Sequence, residues 1–122
     1  MDRESHLLSL RPQLNTLSDS QNSKSIEAFQ NGVIRPILKF QNPLTIALIK
    51  AHPHFSSEKL KDEKWSTHIT SLCKEVRMQN QLIGLVIALM TATEFEVYSQ
   101  AAKEYNKRII TMQIKRYLDQ LD

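Results

Sequence analysis

Glycine and proline are scarce in this chain, two and four among 122 residues, which is too little turn chemistry for an architecture of strands and tight turns. Cysteine is scarcer still: Cys73 stands alone, which excludes an internal disulfide framework and a cysteine zinc cage and fits a reducing compartment. No apolar run approaches the ~20 residues that cross a bilayer. The N-terminus, MDRESHLLSL, mixes charges of both signs with an apolar stretch too short for a signal peptide. No glycine-rich phosphate loop occurs. The expectation is a cytoplasmic protein with no membrane segment.

What remains is helical. With 41% hydrophobic and 24% charged residues the composition is that of an ordinary globular protein, and the length suits one domain. The expected fold class is therefore all-α, a single helical bundle of about four helices with kinked or broken members over residues 23–122, preceded by an arm and linker over residues 1–22. Its centre is expected at LIGLVIALM, Leu82 to Met90, because a helix apolar on every side is normally buried on every side. Gly84 within that run costs ~1 kcal/mol of helix stability relative to alanine, which predicts a second helix close against its backbone.

Apolar spacings of three and four residues define the other elements. In the arm, Leu7, Leu10, Leu14 and Leu17 share a face that Pro12 interrupts. After the polar SDSQNSKS, Ser23 or Ser25 can cap a long helix with Ile26, Phe29, Val33, Ile37, Phe40, Leu44 and Ala47 along one seam, ending at Ala51 before His52-Pro53. Gly32 and Pro36 predict a kink near Asn31 to Arg35, and Asn42-Pro43 a second break. Ser56 or Ser57 caps a third helix with Trp65, Ile69, Leu72 and Val76 inward. Its seam runs on through the polar Gln79 to Ile83, which predicts a bend at Met78 to Asn80 with Asn80 as cap. Capping boxes, Thr91 with Glu94 and Thr93 with Glu96, open a last helix. Its seam of Phe95, Tyr98, Ala102, Tyr105, Ile109 and Met112 gives way to a second stripe, Ile110, Ile114, Tyr117 and Leu121, about 100° around the axis. That stripe predicts a homodimer interface, with the N-terminal arm as the rival cover.

Phe29-Gln30-Asn31 recurs as Phe40-Gln41-Asn42 close to three helical turns on, so the two tripeptides are expected to share a face. The phenylalanines read as core, and the polar neighbours as a candidate patch for a ligand or protein partner: Gln30, Asn31, Arg35, Gln41 and Asn42. The stretches FQNGVIRPILKFQN, KEVRMQNQLIGLVIALMTATEFEVY and YNKRIITMQIKRYLDQ resemble a family of small all-helical bacterial proteins of uncharacterised function, many catalogued under the name "glyoxalase". The likeness runs from Glu27 to Leu121, with departures at Pro43 and Ala88, and implies a shared fold rather than a chemistry.

The patterns of the metal-dependent glyoxalases, His and Glu ligands on paired βαβββ units or an HxHxDH run, do not occur here, so no metal or cofactor is expected. Among His6, His52, His54 and His68, only His52-Pro53-His54 has a ligand-like spacing, and without a closed ligand set these loop histidines read as solvated. Cys73 has no histidine on its own face within a turn, His68 being offset by about 140°, and reads as a buried structural thiol. Asp62-Glu63 and Glu94 with Glu96 sit near helix starts, where the helix dipole suffices to explain them. No catalytic set is nominated. The expected function is a non-catalytic protein-interaction module that pairs with itself. A net charge of +3 permits an alternative, nucleic-acid binding through the basic last helix, whose Lys103, Lys107, Arg108, Lys115 and Arg116 are spread around the axis. A small-molecule enzyme of the glyoxalase name comes third.

Overall fold

The computed structural model describes residues 2–11, 25–56 and 64–120. Pro12, Leu14, Leu17, the SDSQNSK segment, Ser57, Asp62-Glu63 and Leu121 lie outside the described residues. Within them every regular element is helical: α1 (Arg3–Leu10), α2 (Ser25–Phe29), a π turn (Gln30–Ile34), α3 (Arg35–Lys50), α4 (Trp65–Lys74), α5 (Val76–Ile87), α6 (Ala92–Gln100) and α7 (Ala102–Asp119). The class is all-α. Because α2, the π turn and α3 run on without a gap, the described residues form six helical rods rather than about four.

Two breaks of a single residue account for the difference. Glu75, extended at φ −65° and ψ 139°, separates α4 from α5, so the bend falls before Met78 to Asn80, and Gln79 and Asn80 lie inside α5. Val76, expected inward, is 73% exposed as a result. Ala101, at φ −143° and ψ 43°, divides α6 from α7. The expected kink at Asn31 to Arg35 takes the form of the π turn, in which the Arg35 N–H reaches the Gln30 carbonyl five residues back. Pro36 follows directly, and the widened turn makes room for its ring. Pro43 breaks nothing. Ile37 and Leu38 before it and Thr45 and Ile49 after it are all buried, and that packing outweighs the ~3 kcal/mol of a mid-helix proline.

The core has two clusters. Phe29, Ile34, Ile37, Val86, Met90, Tyr98, Tyr105 and Ile109 form one. Ile49, Trp65, Ile69, Leu72, Cys73, Leu82, Ile110 and Tyr117 are prominent in the other. Helix α7 belongs to both, Ile109 on one side and Ile110 on the next, which is the physical meaning of its change of seam. The stripe expected at a dimer interface is therefore covered within the chain: Ile110 and Tyr117 are 5% and 3% exposed, and Ile114 packs against the same cluster, with α4 and α5 as the cover.

The described part of the arm, residues 2–11, lies elsewhere. Arg3 and Arg11 donate to the carbonyls of Ala88 (3.2 Å) and Leu89 (2.9 Å), groups left without partners where α5 ends. Glu4 accepts from the Ala92 N–H, and the expected Thr91–Glu94 capping box is present, so α1 fastens the α5–α6 junction. Along Leu82 to Met90 only Leu82, Val86 and Met90 are fully inward, while Gly84 and Ala88 are exposed. No helix approaches Gly84, since a Cβ added there meets nothing within 4 Å. Among the described residues no helix is long and apolar enough to cross a membrane.

Candidate functional site

The outer side of that apolar run opens a groove. Leu44, Ala47 and Leu48 of α3 face Gln81, Gly84 and Leu85 of α5 and Ala88 at its end around about 490 Å³, with Gln81 as the one polar side chain in the lining. Leu44, 51% exposed, stands on the α3 wall, and Phe40 is exposed one turn before it. Ala47, Gly84 and Ala88 are small and leave a hollow beside them. The same surface thus carries both a projection and a recess.

Leu48 and Gln81 also border a polar recess of about 370 Å³ that continues the groove past His52, His54, Glu75 and Arg77. The backbone N–H of His54 donates to His52 Nδ1 (2.9 Å), which fixes Nδ1 as an acceptor. Nε2 then carries the proton and donates to Glu75 (2.8 Å). His52 is not the solvated loop residue expected, for its side chain is only 8% exposed. With both ring nitrogens engaged it has no lone pair for a metal or a substrate proton. Its role is to tie the end of α3 to the α4–α5 break. Among the described residues no three His, Cys, Asp or Glu side chains gather as a metal site.

The polar patch expected from the repeated tripeptide is not one surface. Gln30 accepts from Arg108 (2.8 Å) and Asn42 exchanges amide hydrogen bonds with Gln120 (2.7 and 3.0 Å), both toward α7. Gln41 donates to the Leu85 carbonyl of α5 (2.8 Å), and Arg35 donates to Asn31 (2.8 Å). The π turn is the cause: its extra residue turns the second tripeptide about 100° from the first, so Phe29 is buried while Phe40 is exposed. Gln30, Gln41 and Asn42 are ties between helices, and the Arg35–Asn31 bond lies within one rod.

The basic residues of α7 divide in the same way. Arg108 is held by Glu104 and Gln30, and Lys115 pairs with Asp119. Arg116 lines a cleft with Arg35, whereas Lys103 and Lys107 line another with Lys74. No continuous basic stripe results. Cys73 is fully buried, and burial pushes its thiol up to about 11, which leaves little thiolate for nucleophilic work. Glu94 belongs to the capping box and Glu96 is exposed. A residue missed in the sequence is Gln113, buried on α7, whose Nε2 donates to the Leu82 carbonyl (3.1 Å) and pins α7 to α5.

No family model matches the sequence, and no curated protein and no solved structure matches it. The likeness to the helical proteins catalogued as "glyoxalase" therefore rests on the quoted stretches alone.

Proposed function

We propose that the protein is a cytoplasmic, non-catalytic interaction module that pairs with a second copy of itself across the α3–α5 groove. The observation that carries the reading is the groove's lining, apolar but for Gln81, with the projecting Leu44 beside the hollow at Ala47, Gly84 and Ala88. A two-fold interface uses the same patch twice, so that patch must hold both a projection and a recess that fits it. Leu44 of one copy seats over Gly84 of the other. Both ends of the groove are polar: Glu75 and Arg77 lie past the Gln81 end, and Arg3 and Glu4, paired at 3.6 Å, lie at the Ala88 end. The buried Cys73 thiol and the doubly bonded His52 ring support the non-catalytic part of the reading.

Sedimentation of the wild type and of Gly84→Arg tests this. A Cβ at position 84 meets nothing within the chain, so the variant is expected to keep the wild-type helical circular dichroism while its arginine fills the hollow. The wild type should sediment as a dimer and Gly84→Arg as a folded monomer. A wild type that remains monomeric at high micromolar concentration overturns the proposal, as does a variant that dimerises like the wild type.

A further inference from the structure

On another side of the molecule α7 faces the α4–α5 junction across a cleft of about 350 Å³, lined by Lys74, Gln79, Lys103, Asn106, Lys107 and Thr111 among others. Its lining holds three ammonium groups and no carboxylate. The neighbouring carboxylates are committed elsewhere, Glu75 to His52 and Glu104 to Arg108. Lysines on a helix ordinarily do no more than solvate it. Two further observations set this cleft apart. Gln79, the polar residue inside an apolar seam, is half-buried here, and its amide has no hydrogen-bond partner among the described residues. Asn106 accepts from the Tyr98 hydroxyl through its Oδ1, which fixes the side chain and leaves its Nδ2 donors free.

We propose that this cleft binds a compact anion carrying two or more phosphate groups. Phosphate oxygens accept from ammonium, amide and hydroxyl donors alike, and Gln79, Asn106 and Thr111 supply the neutral donors between the lysines. The volume lies at the lower end of the range for small-ligand sites, about 300–1,000 Å³, which suits a diphosphate group better than a long polymer. A nucleic-acid backbone needs a track, and of the other cations of α7 Arg108 and Lys115 pair with Glu104 and Asp119 while Arg116 lines a different cleft. This site is independent of the α3–α5 groove.

Isothermal titration with inorganic pyrophosphate and with ADP, at low and at physiological salt, tests the assignment. Saturable one-site binding is expected, weakened at least tenfold by Lys103→Glu with Lys107→Glu and about threefold or more by Gln79→Leu, a change that leaves net charge untouched. Lys39→Glu with Lys50→Glu, the same charge change on exposed residues of α3, should alter affinity by less than twofold. Absence of saturable binding by either probe overturns the proposal. So does an equal loss in the α3 control, which makes the effect one of net charge, and so does a single-stranded RNA oligonucleotide that binds and is not displaced by pyrophosphate.

Discussion

Ile110→Glu is expected to unfold the protein rather than release a folded monomer. Ile110 lies in the second cluster with Ile49, Trp65, Ile69, Leu72 and Leu82. Removing its burial forfeits roughly 1.5–3 kcal/mol. An ionised carboxylate buried there adds several kcal/mol more, only part of which Lys74, Lys103 and Lys107 across the cleft that Ile110 borders can offset. Against a total stability of about 5–15 kcal/mol for a domain of this kind, the sum takes most or all of it. Far-ultraviolet circular dichroism at room temperature should show loss of helix for Ile110→Glu and none for Thr111→Glu, one exposed position further on. A folded Ile110→Glu monomer obtained from a wild-type dimer would instead put this stripe back at the interface between copies.

Arg11→Met is expected to have the second largest effect, greatest near neutral pH and smaller on the acid side. Burial works against the ionised Glu94 carboxyl, but the hydrogen bonds and charge of Arg11, with the Thr91 backbone N–H and hydroxyl, outweigh it and hold the group below its ordinary value of 4.5. Folding thus favours the ionised form. The stabilisation is complete above the ordinary value and is lost as the pH falls through the lowered folded value. The pair is bidentate and little exposed, so removing the guanidinium should cost about 2–4 kcal/mol. It also releases the Leu89 carbonyl at the end of α5. Urea unfolding between pH 7 and pH 3 should give the variant a smaller acid loss than the wild type. Equal slopes in the two proteins would show that another group carries the acid dependence.

Some of this architecture is legible in residues whose chemistry is local. Thr91 with Glu94 marks the start of α6, His52-Pro53 marks the end of α3, and Gly32 with Pro36 marks the irregular turn, because caps and prolines act within a few residues of themselves. The breaks at Glu75 and Ala101 carry no such mark, since both residues are good helix formers and tertiary packing imposes the non-helical backbone. Pro43 misleads in the opposite direction, because buried neighbours on both sides hold the helix through it. The groove was hidden by the run that forms half of it. A continuous apolar stretch reads as buried all round, yet Gln81, Gly84 and Ala88 fall on one side at spacings of three and four, small or polar where a packed face would be large. The polar patch was misplaced because a π turn adds a residue that a regular period cannot anticipate.

The most direct measurement of pairing across the groove places a nitroxide at Asn80→Cys, an exposed position one turn from Gly84 on α5. Cys73, buried and with its thiol pushed up to about 11, stays unlabelled, so each chain carries a single spin. Pulsed dipolar spectroscopy on the labelled protein should detect coupling between two copies. That coupling should vanish on dilution with excess unlabelled wild type, and equally when Gly84→Arg is added to the labelled chain. Coupling that survives Gly84→Arg, or its absence from concentrated labelled protein, would contradict the account.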